Sequence, residues 1–130
     1  MKYTVDKQEK YTLYQLNEEN LNAFIAPDLK SEFVILFNEG TPNLILDLAD
    51  VKYVDSSGLS AILTADRLWK QLGSFILTGV SHPAVVKLIE ISQLNDVLTI
   101  IPTVQEAIDY VFMEDLEREL NADEDNDAGV

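Results

Sequence analysis

Two aliphatic segments constrain this chain most: NLILDLADVKYV, from Asn43 to Val54, and SFILTGV, from Ser74 to Val80. Their apolar side chains stand at consecutive rather than alternate positions. Such a strand has two faces to hide, and a sheet covered by helices on both sides provides that setting. The stretch between them has Ala61, Ile62, Ala65, Leu68, Trp69 and Leu72 on one side of a helix and Thr64, Arg67 and Gln71 on the other. That periodicity predicts an amphipathic helix from Ser57 or Gly58 to Leu72, ended by Gly73. A strand, a helix and a second strand in this order form a parallel β-α-β crossover.

The flanking sequence extends the pattern. Tyr3 and Val5, then Tyr11 and Leu13 to Leu16, alternate about the polar break Asp6 to Lys10 and predict a β-hairpin. Pro27 suits a first helical turn, and Ile25, Leu29, Phe33, Leu36 and Phe37 recur at helical spacing until Glu39-Gly40. A break near Ala49-Asp50 interrupts the first aliphatic strand. Ser81 is expected to cap a short helix with Pro83 near its start, running to about Ile91. VLTII reads as a strand, and Thr103 with Glu106 forms a capping box for a helix with Val104, Ala107, Ile108, Val111 and Phe112 on its apolar side. The fold class is α/β: one domain, with an N-terminal hairpin, then alternating strands and helices, and a mixed sheet of about four to five strands. No internal repeat is visible.

Charge narrows the partners. The 130 residues have a formal net charge of -14, against the Lys and Arg surplus that binds phosphate backbones or anionic membranes. From Glu114 onward eight acids face one base, Arg118. We expect residues 1–113 to form the domain and 114–130 an acidic, disordered tail too poor in apolar residues to offset the entropy of ordering. Asp123, Asp125 and Asp127 alternate as in a calcium loop, but the glycine comes one place late and no bidentate glutamate follows. With no cysteine, thiolate chemistry and cysteine metal sites are excluded. The start MKYTVDKQEK has no apolar leader region, and the longest apolar run is Phe33 to Phe37, so a soluble cytoplasmic protein without membrane insertion is expected.

The chemistry-bearing candidate is Asp55-Ser56-Ser57-Gly58, where a strand turns straight into a helix. Strand ends of this kind are where open α/β sheets place ligands. Three readings fit. Asp55 or Ser56 caps the helix while Gly58 allows close packing. A serine acts as a nucleophile, for which the Gly-x-Ser-x-Gly elbow is absent and His82 is the sole histidine available as base. Or a serine is itself a substrate, since a hydroxyl exposed at a helix N-terminus can accept a phosphoryl group whose charge the helix dipole tolerates. Asp47 and Asp50 lie near Asp55 but form no acid–base pair, and the phosphate-loop patterns of nucleotide enzymes are missing.

VKYVDSSGLSAIL following NLILDLAD resembles the signature of STAS domains, in particular bacterial anti-sigma-factor antagonists. AFIAPDLKSEF, GSFILTGV and HPAVVKLIEISQLNDVLTII are similar to the family's first helix, next strand and following helix–strand, so the resemblance spans roughly Lys2 to Val111. It implies a non-catalytic regulator that acts by partner switching; no cofactor is expected, and a monomer is our default. The unphosphorylated form binds an anti-sigma factor with GHKL-type serine kinase activity; phosphorylation breaks that complex, and a metal-dependent serine phosphatase restores it. By position the resemblance makes Ser56 the acceptor, with Ser57 the second candidate, and Asp55, Ser56, Ser57, Gly58, Leu59 and Asn22 the contact surface. Asn22, in EENLN, stands where the antagonists carry an aspartate. A STAS adaptor used without phosphorylation, such as a lipid-transport subunit, is the alternative the same resemblance allows.

Overall fold

The structure is a computed structural model that describes the backbone of residues 1–128 and the side chains of residues 1–122. In chain order its elements are β1 (Tyr3–Lys7), β2 (Thr12–Leu16), β3 (Asn20–Leu21), α1 (Ala26–Asn38), β4 (Leu44–Asp47), β5 (Tyr53–Val54), α2 (Ser56–Trp69), β6 (Phe75–Thr78), α3 (Pro83–Ile91), β7 (Thr99–Ile100) and α4 (Val104–Ala128). The main sheet has the order β1-β2-β4-β6-β7. Only the β1–β2 hairpin is antiparallel; β2, β4, β6 and β7 pair in parallel. The mixed five-stranded α/β sheet and its N-terminal hairpin agree with the sequence reading.

All four residues of β4 and all four of β6 are buried, and their alternation divides the core in two. Leu44, Leu46, Phe75 and Leu77 face one layer, with Tyr14 and Leu16 of β2, where they meet Leu29 and Phe33 of α1, Ile62 and Trp69 of α2, and Val85 and Ile89 of α3. Ile45 and Ile76 face the other way and meet Ala107 and Val111 of α4. Each large side chain withdrawn from water contributes roughly 1.5–3 kcal/mol, so both coverings are needed to hide these strands. An aromatic row runs through the larger layer: Tyr3 stacks on Tyr14 at 5.0 Å, and Tyr14, Phe33, Trp69 and Phe37 follow in edge-to-face contacts. Trp69 can be fully buried because its indole N–H donates to the Thr41 carbonyl at 3.1 Å.

Several local expectations change. α2 begins at Ser56, because Asp55 adopts the extended cap conformation (φ -96°, ψ -175°) and Ser56 and Ser57 are already helical. It ends at Trp69 rather than Leu72; Leu72 and Gly73 donate to the Trp69 carbonyl in a closing turn, and the Leu72 side chain is exposed. Ser81 does not cap α3. His82 holds that place without a side-chain hydrogen bond, and Pro83 at the first position leaves one fewer N–H to satisfy. Thr103 does cap, accepting from the Glu106 N–H at 3.2 Å, whereas Phe112 is solvent-exposed. The second half of the aliphatic segment, β5, leaves the main sheet after the break and pairs with β3, too short to show any alternation.

α4 continues to Ala128, through the stretch for which disorder is expected. Arg118 donates to Asp115 at 2.6 Å and to the Ser74 hydroxyl at 2.7 Å, and the Asn43 amide reaches Asp115 at 3.3 Å. These anchors tie the helix to the edge of β4 and β6, a contribution that composition alone does not register, and Glu, Leu, Arg and Ala favour helix intrinsically. The side chains of Asp123, Asp125 and Asp127, and residues 129–130 altogether, lie outside the described residues.

Two stability predictions follow from the packing. A Cβ built on Gly58 would meet the carbonyl oxygen of Leu21, with Leu21 Cγ at 2.7 Å and Val54 Cγ1 at 3.0 Å. Gly58→Ala should therefore cost about 2 kcal/mol or more in a denaturant titration. Tyr14 is fully buried and its hydroxyl has no partner among the described residues. Burial first, then Glu32 and Tyr3, push its phenol well above the usual value. With the folded form holding its proton longer than the unfolded one, this stabilisation is whole below about pH 10 and lost as pH rises beyond it. Tyr14→Phe should be neutral to stabilising by up to about 1 kcal/mol at pH 7, and its advantage in melting temperature should widen above about pH 10.

Candidate functional site

The site grows from the parallel pairing of two short strands, β3 and β5. The Lys52 and Tyr53 N–H groups donate to the Glu19 carbonyl at 2.7 and 3.1 Å, and the Asp55 N–H donates to Leu21 O at 3.1 Å. This pairing delivers Asp55 to the start of α2, where its Oδ1 accepts from the Gly58 N–H at 2.9 Å. Because Gly58 is packed beneath Leu21, the first helical turn lies against β3, and the glycine presents no side chain to solvent. Asp55 alone performs the cap. Ser56 is exposed and Ser57 half-buried, and neither hydroxyl makes a hydrogen bond among the described residues. Two serines therefore stand at the positive end of α2 unused by the fold.

Ser56 lies on a ridge between two depressions. One, of about 300 Å³ between α1 and α2, is lined by Ala23, Pro27, Lys30, Ser56, Ser57 and Ser60. The other, of about 440 Å³ along α2, includes Ser56, Leu59, Leu63, Arg67, Lys70 and Val97. Lys30 donates from Nζ to the Ser60 hydroxyl at 3.0 Å, and Ser60 follows Ser56 by one helical turn. Lys70 pairs with the buried Asp66 at 2.8 Å. Lys30 thus faces the depression beside the exposed serine, whereas Arg67 and Lys70 stand about three and four turns further along α2.

Among the described residues, none is placed as a general base for the serine hydroxyls. His82 lines neither depression, Asp66 is held by Lys70, and Asp55 already accepts from the backbone.

Asn22 adjoins the site through the chain, since it follows Leu21. Its Oδ1 accepts from the Phe24 N–H at 3.0 Å and its carbonyl from the Ile25 and Ala26 N–H groups, so it builds the turn into α1. It lines neither depression. Asp55, Ser56, Ser57, Gly58 and Leu59 are together in one turn. Lys30, Ser60, Arg67 and Lys70 were not anticipated. Ser60 was within reach of the helical repeat from Ser56, while Lys30 comes from another helix and had no such signal.

The STAS domain family model matches residues 2–107. An anti-sigma-B factor antagonist of Bacillus subtilis (strain 168) is 31% identical over 102 residues, covering 77% of this chain and 92% of that protein. Among solved structures, an anti-sigma-factor antagonist (STAS) domain protein from Planctomyces limnophilus superposes with a TM-score of 0.74 at 21% identity, over 84% of this chain and 96% of its own. The Bacillus cell fate determinant SpoIIAA in its phosphorylated form gives a TM-score of 0.66 at 21% identity, over 85% and 99%. Sequence and fold agree, and the chain belongs to the STAS domain family.

Proposed function

We propose that this chain is a non-catalytic, cytoplasmic anti-sigma-factor antagonist that works by partner switching, with Ser56 as the phosphate acceptor. The observation that carries this reading is the division of labour at the head of α2: Asp55 supplies the cap, so the exposed Ser56 hydroxyl has no structural task. The 31% identical relative is named an anti-sigma-B factor antagonist, and SpoIIAA, of the same fold, has been solved in a phosphorylated form. Both favour a switch over a constitutive lipid-transport adaptor.

In the unphosphorylated state a GHKL-type serine kinase, itself the anti-sigma factor, docks over α2 and its flanking depressions. In the kinase site the Ser56 oxygen attacks the γ-phosphorus of ATP, ADP leaves and the hydroxyl proton is lost. The product bears a charge of about -1.5 to -2. Within this chain it is tolerated, because the N-terminal end of α2 and the Lys30 ammonium across the same depression oppose it. Within the complex the dianion must be desolvated against the partner, and the complex separates. A metal-dependent phosphatase then returns the hydroxyl by hydrolysis. Ser57, half-buried, is the less accessible hydroxyl of the two.

Affinity capture with wild type, Ser56→Ala and Ser56→Asp as baits tests the reading. Wild type and Ser56→Ala should retain an ATP-binding serine kinase that Ser56→Asp loses, through an affinity drop of about 100-fold, or about 2.7 kcal/mol. Equal retention by all three would refute the switch.

A further inference from the structure

α4 has two apolar faces, and the fold uses one. Ala107 and Val111 are buried against Ile45 and Ile76 of the sheet. Phe112, Met113, Leu116 and Leu120 point away from it and are between 49% and 63% exposed. Phe112, Leu116 and Leu120 recur every fourth residue, which sets them in one stripe along the helix with Met113 beside it. A solvent-facing helix surface needs no large apolar side chains for stability, and a continuous stripe of them marks a contact surface.

Charge selects what that contact is. Glu117 and Glu119 are exposed beside the stripe, and Glu114 and Asp115 are half-exposed on the same stretch. After Lys87 the chain carries a single base, Arg118, and it is committed to Asp115 and Ser74 on the sheet side. The outer face is therefore apolar with negative borders. A second copy would bring like charges together, and an anionic bilayer would repel it.

We infer that the outer face of α4 is a docking surface for a cationic amphipathic helix of another protein, its apolar side seated on Phe112, Leu116 and Leu120 and its Lys or Arg residues beside Glu117 and Glu119. Helix against helix with complementary flanks is a standard mode of recognition. The surface lies across the sheet from Ser56, and it extends beyond residue 107, where the match to the family model ends. It does not rest on the phosphorylation of Ser56, and either reading can fail without the other.

The test uses the whole chain and two labelled peptides of roughly five helical turns with one Leu and Lys composition. In one, the leucines form a single helical face; in the other, their order is permuted. By fluorescence anisotropy at physiological ionic strength, the chain should bind the amphipathic peptide about tenfold more tightly than the permuted one. Leu116→Ser/Leu120→Ser, with its fold checked by circular dichroism, should abolish the preference, and Glu117→Gln/Glu119→Gln should weaken the amphipathic peptide by about fivefold. Equal binding of the two peptides, a preference that survives the leucine changes, or indifference to the glutamate changes would overturn the inference. So would sedimentation of the unmodified chain as a dimer that Leu116→Ser/Leu120→Ser dissociates, since a second copy would then cover the face.

Discussion

The carbonyl of Leu21 holds the functional end of this protein together. It accepts the Asp55 N–H, and it lies so close to Gly58 that no side chain fits there. The first fixes where α2 begins; the second fixes how near it approaches β3. From that contact follow the extended conformation of Asp55, its use as a cap, and the freedom of the next two serines. A cap assigned to Ser56 would have consumed the hydroxyl. With Asp55 in that role the fold is complete before Ser56 is considered, so the residue can change charge without threatening the core.

The sheet then sets two different surfaces on opposite sides of the molecule. β4 and β6 are buried on both sides, so helices must cover both, and the two coverings have different chemistry. α1 brings Lys30 to the depression beside the serine, while Arg67 and Lys70 line the second depression further along α2. α4 covers the other side with Ala107 and Val111 and carries the acidic residues outward.

How much of this was legible in the sequence depended on the range of the interaction. Consecutive aliphatic residues in β4 and β6, the helical spacing of Leu29, Phe33 and Leu36, and the Thr103–Glu106 spacing are local, and the α/β order could be read from them. The Asp55 to Gly58 turn was legible as the candidate site, though not which residue caps it, because Asp and Ser are near-equal caps and only the observed bond from Gly58 to Asp55 separates them. What escaped was non-local. β3 has two residues and exists only through β5; Lys30 reaches Ser60 from another helix. The contacts that hold Asp115 and Arg118, to Asn43 and Ser74, likewise come from far away in sequence.

The most direct measurement is titration calorimetry of the kinase retained by the unmodified chain, against the chain with and without a phosphoryl group installed on Ser56. Partner switching requires measurable binding to the unmodified form and affinity for the phosphorylated form lower by about 100-fold or more, about 2.7 kcal/mol. Equal affinities for the two forms would contradict it and leave Asp55 to Gly58 as a helix start alone.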